Sequence, residues 1–178
     1  GGGPCAGAAQ GGHVNIVKWA RRKGCPWDKR TCDLAAQGGH LKVLKWAIEN
    51  GCVWDSYNFA LAACGGNLEV LRWARANGCP WDTRSCSIAA DRGHLKVLQW
   101  LRGNGPWDAQ TTMKAAEHGH HEVLIWALDN HGVWDSRIPL IADSNGYRYI
   151  SRWARGYDRA THKRRLSLIS KCERWLGV

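Results

Sequence analysis

Tryptophan recurs along this 178-residue chain at a nearly constant interval, in two separate series. In the first series each tryptophan precedes an aspartate, and successive members are 27, 27, 26 and 27 residues apart. The second series also steps by 27 except for one step of 26, because both series span the segment in which NGCPWD is shortened to NGPWD. A deletion shared by two series indicates a tandem array of small stacked units. The first series is Trp27, Trp54, Trp81, Trp107 and Trp134, and the second is Trp19, Trp46, Trp73, Trp100, Trp126 and Trp153.

One unit, residues 29–55, predicts two short helices. Asp28 precedes it at an N-cap position, where a carboxylate accepts hydrogen bonds from the first-turn amides. The pair Gly38-Gly39 ends the first helix, and apolar residues at helical spacing predict a second helix over 41–50. Gly51 follows at the left-handed C′ position. Helices of roughly ten residues are unstable alone in water, so the units must stack.

The tryptophan of the repeated WD turn fits a hydrophobic staple. With Asp28 as N-cap, Trp27 is the N′ residue and Cys32 is the N4 residue, the two positions that pack together at a helix entry. The same register predicts four more pairs: Trp54 with Phe59, Trp81 with Cys86, Trp107 with Thr112 and Trp134 with Pro139. The WD turn is therefore interpreted as a structural element.

These patterns predict an all-α solenoid of stacked helix-turn-helix units, closed by a C-terminal capping helix. The array is expected to span residues 1–158, and the basic, amphipathic segment 159–178 is expected to cap it. Within the array the sequence predicts a partial repeat at 4–28, repeats at 29–55, 56–82, 83–108 and 109–135, and a degenerate repeat at 136–158.

The segments AAQGGHLKVLKWAIENG, AACGGNLEVLRWARANG and AADRGHLKVLQWLRGNG resemble the helix-turn-helix of ankyrin repeats. The units differ from typical ankyrin repeats of about 33 residues by lacking the β-hairpin finger and the TPLH motif. This compact form is similar to the arrays that giant DNA viruses and some protists encode in large numbers. The resemblance implies a non-catalytic protein–protein interaction module, in some members the recognition part of a larger adaptor such as an F-box protein.

The eight cysteines contain no C-x-x-C pair, which disfavours a zinc site. Equivalent positions of stacked units lie about 8–10 Å apart, too far for a disulfide within either cysteine column. The cysteines are therefore expected to be unpaired small hydrophobes, as in an intracellular, reducing compartment: the cytoplasm of the cell or of an infected host, or the nucleus. One column is Cys5, Cys32 and Cys86, the other is Cys25, Cys52 and Cys79, and Cys64 and Cys172 stand apart.

No catalytic site, metal site or cofactor is predicted, so the chain is not expected to be an enzyme. Histidine recurs in the GH turn but is replaced by Asn67 and Tyr147 in two units. A turn or cap position tolerates such replacements, whereas a set of metal ligands does not. The histidines are His13, His40, His94 and His120. The neighbouring His118 and His121 are assigned to an exposed turn.

The net charge is +10, and residues 148–178 hold nine Lys and Arg against Asp158 and Glu173. This basic end fits a solvated cap, or a site for nucleic acid or an acidic partner. The candidate basic patch is Arg152, Arg155, Arg159, Lys163, Arg164 and Arg165. No apolar run is long enough to span a membrane.

Some positions of the first helix vary between units, whereas the positions that form the helix pair repeat. Such variation is expected where contact with a partner, rather than folding, determines which residue is present. Helical spacing places these positions opposite the stacked face. Tyr57 and Arg84 are the best anchors, because binding hot spots favour tyrosine and arginine. The expected partner is a protein bound by a monomeric array, and the predicted residues are Lys29, Arg30, Asp33, Gln37, Tyr57, Arg84, Asp91, Arg92, Gln110 and His118.

Overall fold

The computed structural model describes residues 3–26, 28–103 and 109–157. Regular structure in these residues is entirely helical, which confirms the predicted all-α class. We call the odd-numbered helices the first helices and the even-numbered ones the second helices. They are α1 Pro4–Gln10, α2 Val14–Arg22, α3 Lys29–Gly38, α4 Leu41–Glu49, α5 Ser56–Cys64, α6 Leu68–Ala76, α7 Arg84–Asp91, α8 Leu95–Arg102, α9 Ala109–Glu117, α10 His121–Asp129, α11 Ile138–Ser144 and α12 Arg148–Arg155.

Two aspartates of the WD turns, Asp28 and Asp55, are the N-cap residues of α3 and α5, as the sequence predicts. Asp28 accepts a hydrogen bond from the Arg30 amide, and Asp55 forms a capping box with Asn58. Asp82 accepts from the Arg84 amide at 3.0 Å, although the N-cap residue of α7 is Thr83.

The first helices lie on the inner side of the solenoid. Neighbouring first helices pack closely, whereas neighbouring second helices contact one another sparsely. Small residues explain this difference, since each of α3, α5, α7 and α9 buries a pair of adjacent alanines. The second helices bury larger Val-Leu pairs, so the array curves around its first helices. The alanine pairs are Ala35-Ala36, Ala62-Ala63, Ala89-Ala90 and Ala115-Ala116.

Tryptophans of the WD turns connect successive helix pairs. The Trp81 ring stacks on Phe59 of the preceding first helix, with 5.8 Å between centroids. Trp54 meets Trp73 of the following second helix edge-on at 6.2 Å. The predicted staple pairs stay predictions, and Trp27 and Trp107 lie outside the described residues.

The GH-turn side chains hold neighbouring units together. His40, Asn67, His94 and His120 stand at N-cap positions, yet none of these side chains caps its own helix. Each side chain instead forms a hydrogen bond with the first helix of the unit before it. The last carbonyl groups of that helix have no partner within the helix and accept these bonds. The distances are 2.8 Å from His40 to the Gln10 oxygen, 2.7 Å from Asn67 to Gln37, 2.9 Å from His94 to Cys64 and 2.9 Å from His120 to Asp91.

The prediction that all cysteines are unpaired was wrong for Cys32 and Cys52, which form a disulfide. The spacing argument treated only equivalent positions of different units. These two residues belong to different columns of one unit, because the turn after α4 brings Cys52 back to the start of α3. Their Cα atoms are 6.8 Å apart. The other described cysteines keep their thiols, and burial, followed by the charge of Asp55, raises the pKa of Cys79 to about 12.

The predicted repeat boundaries remain predictions. The proposed cap at residues 159–178 lies outside the described residues. Within the described ranges, no helix combines the length and the apolar character needed to cross a membrane.

Candidate partner-binding surface

Nine of the ten predicted partner residues lie at the two ends of the first helices, exposed or half-buried, and Asp33 is the exception. We call Lys29, Arg30, Tyr57, Arg84 and Gln110 the N-terminal row, and Gln37, Asp91, Arg92 and His118 the C-terminal row. Gln37 lies seven positions after Arg30 in α3, so the two rows are about 10 Å apart along the helix axis.

Ion pairs hold most charges of the N-terminal row. The Lys29 ammonium is 2.7 Å from the Asp55 carboxylate and 5.0 Å from the centre of the Tyr57 ring. The hydrogen bond to Asp55 raises the pKa of Lys29. Partial burial acts to raise the pKa of Asp55, but hydrogen bonds from Lys29, Asn58 and Tyr57 outweigh it and lower the pKa. The Arg84 guanidinium binds Asp82 through Nε at 2.8 Å and Nη2 at 2.6 Å.

The C-terminal row contains a charge cluster that joins α7 and α9. The Asp91 carboxylate is 3.0 Å from His118 Nδ1, 3.4 Å from Arg92 Nε and 3.9 Å from Lys114 Nζ. Lys114 also pairs with Glu117 at 2.6 Å. The structure therefore brings Asp91, Arg92 and His118 together, with the Arg92 guanidinium and the His118 ring both directed at the Asp91 carboxylate.

Asp33 occupies the middle of α3, between the two rows. It is half-buried and accepts a hydrogen bond of 2.5 Å from the Asn58 side chain of the next unit. Burial is the main cause that raises the pKa of its carboxyl group. Asp33 therefore links two repeats, and its half-buried side chain is also part of the candidate surface.

Sequence reasoning missed the exposed apolar residues of the WD turns. Val53 is 76% exposed and Val133 is 48% exposed, and Tyr57 of the N-terminal row is 50% exposed. Val53 also borders an open hollow of about 270 Å³, together with Lys29, Cys52 and Asp55. The signal in the sequence is a WD-turn position that is proline at 26, 80 and 106 and valine at 53 and 133, and the structural interpretation of the turn takes no account of it.

The candidate basic patch is only partly described. Arg152 and Arg155 are exposed on α12. Arg155 pairs with Asp143 at 3.1 Å. Arg159, Lys163, Arg164 and Arg165 lie outside the described residues. Within residues 3–26, 28–103 and 109–157, no group of three or more His, Cys, Asp or Glu is placed to hold a metal ion.

Comparison with known proteins identifies the fold. No model of a protein family matches the chain, and no curated protein sequence matches it either. Among solved structures, it superposes on the crystal structure of the human ASB11 ankyrin repeat domain with a TM-score of 0.65. That superposition covers 87% of this chain and 84% of the other, at 16% sequence identity. The chain has the ankyrin-repeat fold. In this ankyrin-repeat array the WD turns at 53–55 and 80–82 lead directly into the helices that carry Tyr57 and Arg84 of the N-terminal row.

Proposed function

We propose that this ankyrin-repeat array is a non-catalytic interaction module that binds a protein partner along its N-terminal row. The observation that carries the proposal is the exposure of Tyr57 and Val53 on a charged edge. Exposed apolar groups rimmed by polar side chains are typical of protein interaction sites. The module can act alone or as the recognition part of a larger adaptor, and contributes the same surface in both cases.

The charges of the row favour binding because they are already positioned. Asp82 holds the Arg84 side chain, so Arg84 loses less conformational freedom when it meets a partner. Lys29 is similarly held between Asp55 and the Tyr57 ring. Tyrosine and arginine are the residue types enriched among binding hot spots.

A double substitution tests this surface. Once a partner has been captured with the wild-type chain, Tyr57→Ala combined with Arg84→Ala should weaken its binding by more than about 2 kcal/mol. Isothermal titration calorimetry measures the affinity, and thermal unfolding checks that the array remains folded.

A matched control removes an exposed apolar residue and an exposed arginine elsewhere. Ile16→Ala combined with Arg22→Ala changes α2, on the other side of the helix pair, and should leave the affinity unchanged. Wild-type affinity in the Tyr57/Arg84 variant would exclude the N-terminal row.

A further inference from the structure

Two pairs of cysteines share one spacing in this chain. Cys32 and Cys52, which form the disulfide, are 20 residues apart in sequence. Cys5 and Cys25 have the same separation, and they occupy the same places in the preceding helix pair. The next two helix pairs each lack one of the two cysteines: α5 has Phe59 at the first position, and the shortened NGPWD turn after α8 lacks the second. The disulfide-forming arrangement therefore occurs a second time, at Cys5 and Cys25.

The turn that carries the second cysteine has the same backbone geometry in both pairs. The Cys25 amide donates a hydrogen bond to the Ala20 carbonyl at 3.0 Å. The Cys52 amide donates to the Ala47 carbonyl, also at 3.0 Å. Because the turn that returns Cys52 to the start of α3 is reproduced after α2, we expect Cys25 to lie at the start of α1.

Contacts of the first helix pair agree with this placement. A Cβ atom at Gly3, two positions before Cys5, would lie 3.8 Å from the carbonyl oxygen of Pro26, the residue after Cys25. Cys5 is buried, and burial is the main cause that raises its pKa. The thiol of Cys25 acts in the same direction, and Arg21 acts in the opposite one. Such an effect of one thiol on another requires that the two are close neighbours.

We propose that Cys5 and Cys25 form a second disulfide, which closes the α1–α2 pair as the Cys32–Cys52 bridge closes the α3–α4 pair. The oxidant is a low-molecular-weight disulfide such as oxidised glutathione. Cys25 is half-buried, as Cys52 is, whereas Cys5 is 1% exposed, so the Cys25 thiolate attacks the oxidant first.

The exchange proceeds in two steps. In the first step a bond forms between Cys25 Sγ and one sulfur of the oxidant, and the other sulfur leaves as a thiolate. In the second step Cys5 Sγ attacks Cys25 Sγ in this mixed disulfide and releases the second small thiolate. Two protein thiols are thereby oxidised to one disulfide, the oxidant is reduced to two thiols, and the protons of Cys5 and Cys25 pass to those thiols. An excess of small thiol reverses both steps.

The bridge has a consequence for stability. A disulfide stabilises a fold mainly by restricting the unfolded chain, so oxidation should stabilise the α1–α2 pair. The inference concerns the covalent state of the array and does not depend on the proposed partner-binding row.

Peptide mapping tests the bridge directly. The folded chain is incubated with oxidised glutathione, then unfolded and alkylated with N-ethylmaleimide, and digested with trypsin without reduction. Residues 1–18 and 24–29 should appear as one linked peptide. This peptide should exceed any other Cys25-linked peptide by about tenfold or more, because the fold holds the two thiols together. The same oxidation in denaturant should distribute Cys25 among the other cysteines. Recovery of Cys5 mainly in alkylated form would overturn the inference, as would equal linkage of Cys25 to Cys64 or Cys79 in the folded chain.

Thermal unfolding tests the consequence. Oxidation should raise the melting temperature of the wild type, and Cys25→Ser should remove several degrees of that increase. Under reducing conditions Cys25→Ser should melt close to the wild type. Cys64→Ser is the matched control, because Cys64 is also half-buried and no cysteine lies 20 residues from it in either direction. It should keep the full increase. A Cys25→Ser variant that gains as much from oxidation as the wild type is incompatible with the bridge.

Discussion

At the scale of single residues, His131 occupies a place that other units give to glycine. Its φ of 69° is the only positive value at a non-glycine residue among the described residues. The equivalent Gly51 and Gly78 have φ values of 92° and 73°. The next residue, Gly132, donates its amide to the Ala127 carbonyl at 2.7 Å, as Cys52 does to Ala47 at 3.0 Å. The turn is thus conserved in geometry while its left-handed residue changes.

Replacing His131 by glycine should stabilise the array. A residue with a Cβ atom costs about 1–2 kcal/mol in the left-handed region, so His131→Gly should raise the free energy of unfolding by about 1 kcal/mol. Denaturant titration measures the change. Gly51→His is the reciprocal control and should lower the free energy of unfolding by a similar amount. Equal midpoints for His131→Gly and wild type would contradict the assigned strain.

His121 should make the stability of the array depend on pH. Its ring meets Tyr149 and Trp153 edge-on at 5.5 and 5.2 Å, and its Nε2 is buried without a hydrogen bond to a described residue. Burial lowers its pKa below 6.5, although Glu122 acts in the opposite direction. The unfolded chain therefore takes up this proton first as pH falls, and stability is lost below about pH 6.5.

Substitution of His121 by leucine, the residue at the equivalent positions 41, 68 and 95, tests this pH dependence. His121→Leu should raise the free energy of unfolding by about 1 kcal/mol at neutral pH, because it removes an unsatisfied buried polar atom. The difference from wild type should widen between about pH 7 and pH 5. Leu95→His should introduce the same dependence. A constant difference across this range would contradict the explanation.

At the scale of elements, the WD turn combines a helix cap with a wedge between helix pairs. Asp82→Ala should cost about 1 kcal/mol through the lost cap. Trp81→Ala should cost about 3 kcal/mol, because a large aromatic contact with the core is lost. Denaturant midpoints measure both. Val53→Ala, at a turn residue that is 76% exposed, is the control and should change stability by less than about 0.5 kcal/mol.

A double-mutant cycle then locates the Trp81 contact. If the indole acts through Phe59, Trp81→Ala and Phe59→Ala should show a coupling energy of about 0.5–1.5 kcal/mol. If the two substitutions change the free energy of unfolding additively, Trp81 does not stabilise the array through Phe59. Its contact would then be with another residue, for example Cys86, as the staple predicts.

At the scale of the whole molecule, stability should depend on the contacts between units. His94→Ala removes one inter-repeat hydrogen bond and should lower the free energy of unfolding by about 1 kcal/mol. His94→Asn keeps a donor, as Asn67 does, and should recover most of the loss. His13→Ala is the matched control, since the His13 side chain is exposed and makes no hydrogen bond to a described residue. Thermal and denaturant unfolding compare the three variants. An equal loss for His13→Ala would show that the effect is local to the turn.

The sequence by itself determined the period, the helix pairs and the aspartate caps. These features depend on local chemistry, namely hydrophobic spacing, left-handed glycine and capping carboxylates, which repeat with the unit. The tertiary structure decided what depends on contacts between distant residues. The Cys32–Cys52 disulfide joins two columns that periodicity keeps apart. The GH-turn side chains bond the preceding unit rather than their own helix. The exposure of Val53 appears only once stacking settles which face is covered.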